Sequence, residues 1–295
     1  MPSDAITVTP LVDAEGNVYP HDFGADIGGV DLANMSDRQV RAFNQAMVKH
    51  QVLRIPTAGL DNDGFVKFAK RLGMFKLDYQ QKAGGAAEHP THPEIFRVSN
   101  QDPTNNSETP HQDGHNDDKN QPDCSMLMVY EGRHKTRFYN GRQAYSQLSP
   151  ELRVLLGRCT LYMQNCYMGG TNALRPMFNG IHPEGSIPTL SRPVFTLDSS
   201  GTPILDLVAD RSPRWIPGLP GRTSDSVIAK LWEVQLGTYA DIPWAEGDVM
   251  VWRNRELLHQ GIKDDPAAVR ELGRITLTLH KSALMTEAEI AKLLQ

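Results

Sequence analysis

The fold is decided by the stretch Gly247-Asp248-Val249-Met250-Val251-Trp252-Arg253-Asn254-Arg255-Glu256-Leu257-Leu258-His259-Gln260-Gly261. Its residues 248–253 form a short apolar run with β-branched and aromatic side chains, which predicts a strand. His259 follows six residues after this run, and Arg270 and Arg274 lie eleven and fifteen residues beyond His259. The stretch therefore joins a predicted core strand to side chains that could do chemistry.

Seven more runs of the same type surround this strand and are separated by Gly, Pro, Asn and Asp. They lie at 51–55, 95–99, 124–130, 159–168, 193–197, 204–208 and 274–280. Helices are predicted from a Ser36 cap to about His50, from Asp61 to Gly73, after a Ser224 cap, and from Thr286. The order predicts a mainly β protein, a double-sheet roll with helices packed outside, in a single domain over 1–295. Two long aperiodic loops, 79–92 and 169–192, are predicted to be active-site lids.

Composition excludes several classes of protein. The 295 residues are 39% hydrophobic and 22% charged, with a net charge of −5 and no basic run, so neither nucleic acid nor a membrane surface is an expected partner. Three cysteines without a CxxC pair argue against a disulfide framework and a cysteine-based zinc site. The first 20 residues lack the pattern of an export signal, and no apolar stretch approaches 18 residues, so a cytoplasmic location is expected.

A candidate metal motif is His111-Gln112-Asp113. Residues two apart on a strand face the same side, so an imidazole and a carboxylate could reach one ion. With a distant histidine they would form the 2-His-1-carboxylate set that binds Fe(II) and leaves three positions open. A second pair with the same spacing, His115-Asn116-Asp117, leaves the choice of pair open at this point.

The stretch 247–261, followed by Arg270, resembles the taurine dioxygenase family of iron(II)- and 2-oxoglutarate-dependent oxygenases. In that family a Gly-Asp, apolar, Trp-x-Asn-Arg, His segment precedes a co-substrate-binding arginine. The blocks 24–32, 50–53 and 71–73 agree with the family in their order, and residues 132–136 resemble its central block. The resemblance covers nearly the whole chain and is most specific around His259.

The resemblance implies a double-stranded β-helix, the jelly-roll or cupin-like fold, and it implies roles for particular residues. His111, Asp113 and His259 would bind iron, because this register puts Pro122 and the strand from Ser125 at nearly the family's distance from the ligand pair. Thr136 would hydrogen-bond one carboxylate of 2-oxoglutarate, and Arg270 would hold the far carboxylate as a bidentate partner. Arg274 matches the position that contacts the anionic group of the substrate.

The activity implied by the resemblance is oxidation of a C–H bond, with hydroxylation as the default and desaturation or dealkylation as variants. It would use Fe(II), 2-oxoglutarate and O₂ and release succinate and carbon dioxide. The expected substrate is a small polar metabolite, anionic or zwitterionic. Two alternatives are a non-catalytic jelly-roll binding module and a metal-dependent cupin-type isomerase or hydrolase. Arg270 and the complete triad argue against the first, and the second would need neither Arg270 nor Thr136.

Departures from the family bear on the substrate. No histidine occurs in residues 74–79, where the taurine enzyme itself uses one for its sulfonate, so taurine is not expected. Asp78 opposite Arg274 would suit a zwitterion. The sequence assigns no role to His89, His92, His115 or Asp117, and it is compatible with a homo-oligomer.

Overall fold

Two mainly antiparallel sheets form the framework of the protein in this computed structural model. The described residues are 5–75, 89–101, 109–115, 121–164, 189–208, 214–262 and 268–280. Their strands are β1 Thr7–Pro10, β2 Ala25–Gly28, β3 Val52–Ile55, β4 Gly73–Phe75, β5 Phe96–Ser99, β6 Cys124–Glu131, β7 Arg133–Asn140, β8 Thr160–Gln164, β9 Thr189–Pro193, β10 Phe195–Leu197, β11 Pro203–Leu205, β12 Arg214–Trp215, β13 Tyr239–Ala245, β14 Val249–Arg253, β15 Leu257–Ile262 and β16 Glu271–Leu279. Their helices are α1 Asp37–His50, α2 Asn62–Leu72, α3 Gly141–Gln147, α4 Pro150–Leu156 and α5 Gly221–Leu236, with 3₁₀ turns at Pro20–Asp22 and Leu32–Asn34.

The stretch 247–261 connects the two sheets. The larger sheet has the order β1-β2-β3-β14-β6-β16-β4, with β5 also paired to β16, and the smaller has the order β13-β7-β15. The stretch supplies β14 to the larger sheet and β15 to the smaller. Val52, Leu127 and Trp252 of the larger sheet pack in one buried cluster with Phe138 and Ile242 of the smaller. The roll therefore encloses an apolar interior between its sheets.

Helices cover the outer faces of both sheets. On the larger sheet, Phe43 of α1 and Phe68 of α2 pack edge to face, with ring centroids 5.4 Å apart, over the outward side chain of Ile275. On the smaller sheet, Leu231 of α5 belongs to the cluster that covers Leu258. The helices therefore bury the outer face of the larger sheet around Ile275, whereas the smaller sheet is covered around Leu258 and leaves outward side chains such as Tyr239 exposed. Among the described residues, no helix has the length and apolar character needed to cross a membrane.

The helix starts test the capping predictions. Ser36 caps α1 in a complete capping box with Gln39, and the Asp61 carboxylate accepts from the Gly64 N–H at the start of α2, so both predictions are confirmed. The Ser224 prediction is wrong, because α5 begins three residues earlier, at Gly221. The Ser224 hydroxyl instead accepts a hydrogen bond from the Ile216 backbone N–H at 2.9 Å. The helix expected from Thr286 lies outside the described residues.

Each of the eight predicted strand runs overlaps a strand, but the smaller sheet was not predicted. In strand β7 the outward side chains of Arg133, Lys135 and Arg137 alternate with buried side chains. Because of these charged residues, β7 does not form an apolar run and was not recognised as a strand. β13 alternates in the same way, and β15 pairs with β7 along its whole length. The mainly β prediction is nevertheless confirmed.

Candidate metal centre

The segment 109–115 is attached to the edge of the smaller sheet by a pair of histidines. The His111 N–H donates to the His259 carbonyl at 3.0 Å, and the His259 N–H donates to the His111 carbonyl at 2.9 Å. Because residues facing each other in such a bridge present their side chains on the same side, the two rings lie together, with centroids 4.4 Å apart. The backbone thus brings together two imidazoles that are 148 residues apart in sequence.

Asp113 completes a cluster with these histidines. Its Oδ1 lies 4.0 Å from His111 Nε2, and its Oδ2 lies 3.8 Å from His259 Nε2. One ligating atom from each of the three residues lies within 4.8 Å of the others. Within the described ranges, this is the group of three or more His, Cys, Asp or Glu residues whose ligating atoms come so close together. All three side chains are buried.

The donor atoms suit iron(II). The His111 Nδ1 lies 2.7 Å from the Thr109 carbonyl oxygen, which can only accept, so Nδ1 carries a proton and Nε2 is the nitrogen that a metal could bind. Two neutral imidazoles and one carboxylate are the set typical of non-haem iron(II) oxygenases. The three residues therefore fit the metal on chemical grounds.

Asp113 is fully buried yet held as a carboxylate. Burial by itself would raise its pKa, but the Arg274 guanidinium, then His259 and His111, and the Ser125 hydroxyl outweigh that effect and hold the pKa well below its usual range. Ser125 donates to Oδ2 at 2.7 Å, and Arg274 Nη1 donates to Oδ1 at 2.9 Å. The anion that a cation needs is therefore present and oriented at neutral pH.

Asn254 fixes the backbone of Asp113. Its side-chain oxygen accepts from the Asp113 N–H at 2.7 Å, and its amide donates to the carbonyls of Asp113 and Pro122 at 2.9 and 3.0 Å. The Asn254 side chain has no exposed surface. No role for Asn254 was predicted from the sequence, and its position inside the Trp-x-Asn-Arg segment was the available signal.

A second buried network holds the same segment from the opposite side. Gln112, between the two ligands, donates to Asp206 at 3.2 Å and accepts from Gln121 at 2.7 Å. Arg192 of β9 donates to the side-chain oxygens of both glutamines. These partners hold the Gln112 side chain away from the cluster, while His111 and Asp113 on either side of it point into the cluster. The spacing of residues in the sequence did not identify these partners.

Thr136 faces the interior on the same side of the smaller sheet as His259. Phe138 pairs with His259 across β7 and β15, and Thr136 lies two residues before Phe138, so all three side chains share one face. The Thr136 hydroxyl accepts a hydrogen bond from Trp244 Nε1 at 3.0 Å. The structure thus brings Thr136 to the interior wall that also carries His259.

Arg270 and Arg274 both lie on the segment that leads through β16. Arg270 is buried, and its backbone N–H donates to the Asn100 side chain at 3.0 Å. Arg274 stacks on Phe96, with its guanidinium carbon 4.7 Å from the ring centroid, and reaches Asp113. The register of β16 against β6 shifts between Glu271 and Leu272, which lies between the two arginines.

The remaining histidines lie elsewhere. His115 Nδ1 is 3.0 Å from the Gln112 carbonyl oxygen, and His115 is not part of the three-residue cluster. His92 pairs with Asp63 at 3.0 Å near the start of α2, and His89 lies 3.1 Å from the Asn62 amide. Outside the described residues lie Asp78, Asp117 and most of both predicted lids, 79–92 and 169–192.

Comparison with known proteins agrees with this geometry. Residues 8–276 match the model of the taurine catabolism dioxygenase TauD, TfdA family. A relative from Delftia acidovorans, named (S)-phenoxypropionate/alpha-ketoglutarate-dioxygenase, is 26% identical over 263 residues, which cover 80% of this chain and 85% of the relative.

Solved structures show the same fold. A taurine dioxygenase from Burkholderia xenovorans has a TM-score of 0.71 at 22% identity, covering 93% of this chain and 90% of the other. AAD-2 in complex with Mn(II) and N-oxalylglycine has a TM-score of 0.69 at 16% identity, covering 94% and 98%. The predicted jelly-roll fold is thereby confirmed.

Proposed function

Because this chain belongs to the TauD, TfdA family, and is thus an Fe(II)- and 2-oxoglutarate-dependent dioxygenase, we propose that it hydroxylates a C–H bond of a small organic anion. The observation that carries the proposal is the buried His111, Asp113 and His259 cluster at the interior of the roll. When bound there, iron would supply dioxygen activation coupled to decarboxylation of 2-oxoglutarate to succinate.

The chain's own residues would bind, orient and shield the reactants. His111, Asp113 and His259 would hold iron from one side, which leaves the opposite side for co-substrate and dioxygen. Thr136 and Arg270 would hold the carboxylate of 2-oxoglutarate that lies away from the metal. Bidentate pairing suits the planar guanidinium, and burial of both side chains strengthens such hydrogen bonds. The apolar cluster between the sheets would exclude water.

The position of Arg274 supports the proposal that the substrate is an anion. The Arg274 guanidinium lies at the metal cluster, where Nη1 donates to Asp113 at 2.9 Å, and a guanidinium is suited to bidentate pairing with a carboxylate. Its stacking on Phe96 fixes the plane of the guanidinium beside the metal cluster and adds an aromatic surface. Since the Delftia acidovorans relative is named for (S)-phenoxypropionate, an aryloxy carboxylate is the first substrate to test here. Asp78, the expected partner of a substrate amine, lies outside the described residues.

The test is succinate formation by protein loaded anaerobically with Fe(II) and then given oxygen and 2-oxoglutarate. We expect an aryloxy carboxylate such as (S)-2-phenoxypropionate to stimulate succinate release, and the uncharged methyl ester of the same acid to give no stimulation. Hydroxylation would be read as one oxygen atom from ¹⁸O₂ in the organic product. Equal stimulation by acid and ester would contradict the anionic substrate, and succinate release without oxygen in the product would contradict hydroxylation.

Replacing Arg274 with alanine should abolish stimulation by the anionic substrate while slow, substrate-independent succinate formation persists. The reason is that orienting contacts, rather than the reaction itself, couple 2-oxoglutarate turnover to a substrate. Because Arg274 also contacts Asp113, Mn(II) affinity must be measured on the same variant. Arg97→Ala is the matched control, since Arg97 lies next to Phe96 but pairs with Glu271 and is half exposed. Full stimulation in Arg274→Ala would show that the substrate binds elsewhere.

A further inference from the structure

Trp244 of β13 makes a hydrogen bond that fixes the role of a neighbouring hydroxyl. Its Nε1 lies 3.0 Å from Thr136 Oγ1, and the two side chains are 3% and 5% exposed. An indole N–H can only donate, so the Thr136 oxygen must accept in this bond. The hydroxyl proton of Thr136 is therefore left to donate to a different group.

We propose that Trp244 is a positioning residue that sets the Thr136 hydroxyl as a donor toward a carboxylate of 2-oxoglutarate. The inference rests on the proposed function, in which Thr136 and Arg270 hold that carboxylate. A carboxylate accepts hydrogen bonds and never donates them, so it needs a hydroxyl whose proton faces it. Without Trp244 the same hydroxyl could rotate and present its lone pairs to the anion. The indole selects the productive orientation before the ligand arrives.

The Trp244 indole is itself held by a second contact. Its ring packs against that of His134, with centroids 5.3 Å apart, and the two residues face each other across β13 and β7. His134 lies two residues before Thr136 on the same inward face, and it is 4% exposed. Trp244 therefore rests between two inward side chains of β7 and has little freedom to turn.

His134 extends this arrangement to Arg270. Its Nε2 lies 3.2 Å from the carbonyl oxygen of Val269, so Nε2 carries the proton and donates. Gly132, with φ +103°, permits the close approach, since a Cβ at that position would lie 2.3 Å from the Val269 oxygen. Val269 immediately precedes Arg270. The indole, the imidazole and the Val269 carbonyl thus connect β7, which carries Thr136, to the residues just before β16, which include Arg270.

The resemblance to the family assigned no role to His134 or Trp244. His134 lies within residues 132–136, the stretch that resembles the family's central block. An imidazole at that position supplies both the surface on which Trp244 packs and the donor for Val269. Trp244 does not itself bind 2-oxoglutarate in this proposal, since its one donor is already used by Thr136.

The experiment is Trp244→Phe, which keeps an aromatic ring against His134 and removes the N–H. Titration of Mn(II)-loaded protein with 2-oxoglutarate by calorimetry should show binding about three- to tenfold weaker than wild type, the range of one hydrogen bond. Mn(II) affinity should not change. Trp232→Phe is the matched control, because the Trp232 N–H is buried without an acceptor among the described residues and removing it should leave 2-oxoglutarate affinity unchanged.

A double-mutant cycle separates positioning from general packing. In a Thr136→Val background, which has no hydroxyl to orient, Trp244→Phe should cause no further loss, whereas Thr136→Ser should restore sensitivity to Trp244→Phe. An equal loss in the Thr136→Val background, or an unchanged affinity in Trp244→Phe alone, would overturn the inference. Wild-type protein that binds Mn(II) but not 2-oxoglutarate would overturn the proposed function itself, and this inference with it.

Discussion

Asp113→Ala should lower metal affinity by more than about 100-fold, because losing even a hydrogen-bond partner of a metal ligand costs about 10–100-fold. Asp113 is the one anionic member of the cluster with His111 and His259, and two neutral imidazoles alone leave the ion without charge compensation. Equilibrium dialysis against Mn(II), with metal content read by mass spectrometry, measures the loss. Succinate formation should fall to the level without enzyme.

The same substitution should also weaken the metal-free protein. Arg274 donates to Asp113 from a site where its own side chain is 15% exposed, and removing the carboxylate leaves a largely buried cation without that partner. Urea denaturation measured by circular dichroism should therefore show a lower midpoint. Asp123→Asn is the control, because this half-buried carboxylate pairs with Arg255 outside the cluster and should leave Mn(II) affinity unchanged. Unaltered Mn(II) binding by Asp113→Ala would remove Asp113 from the candidate ligands.

The ligand candidates were within reach of the sequence because their pattern is local. His111 and Asp113 are two residues apart, which keeps them close together although His111 forms only a single bridge and residues 113–115 form a turn rather than a strand, and His259 sits in the most specific part of the resemblance. The residues that hold Asp113 could not be found in this way. Ser125 belongs to β6 and Arg274 to β16, and only the pairing of these strands in the larger sheet brings them to one carboxylate.

The strands also differ in whether a local sequence pattern is enough to predict them. Runs such as 124–130 are apolar on both faces because each lies between the interior and the helices, so composition alone reveals them. Strand β7 has one face in the interior and an outer face with Arg137, which pairs with Asp241 of β13. Such a strand can be recognised only together with its partners, and the ion pair between the two strands was the signal that went unused.

Asn254 belongs to a motif that is visible in the sequence, but its role depends on contacts that only the fold creates. Its side chain holds the segment that carries Asp113. Asn254→Asp preserves the shape of the side chain but replaces the donating amide with an oxygen, so the carbonyls of Asp113 and Pro122 lose their donor. Each buried acceptor left unsatisfied costs about 1–3 kcal/mol, so the free energy of unfolding should fall by about 2–6 kcal/mol. Mn(II) affinity should fall as well, because the backbone of Asp113 is no longer fixed.

Urea denaturation with and without Mn(II) tests both effects in Asn254→Asp. Asn34→Asp is the matched control: Asn34 likewise accepts once, from Lys67, and donates, here once, to Asp31, but it is exposed, so its replacement should change stability by less than about 1 kcal/mol. If Asn254→Asp matched wild type in both measurements, the carboxamide would contribute nothing to holding the ligand. A loss of stability with full Mn(II) affinity would limit Asn254 to supporting the fold, because the metal would then bind whether or not the Asp113 backbone is held.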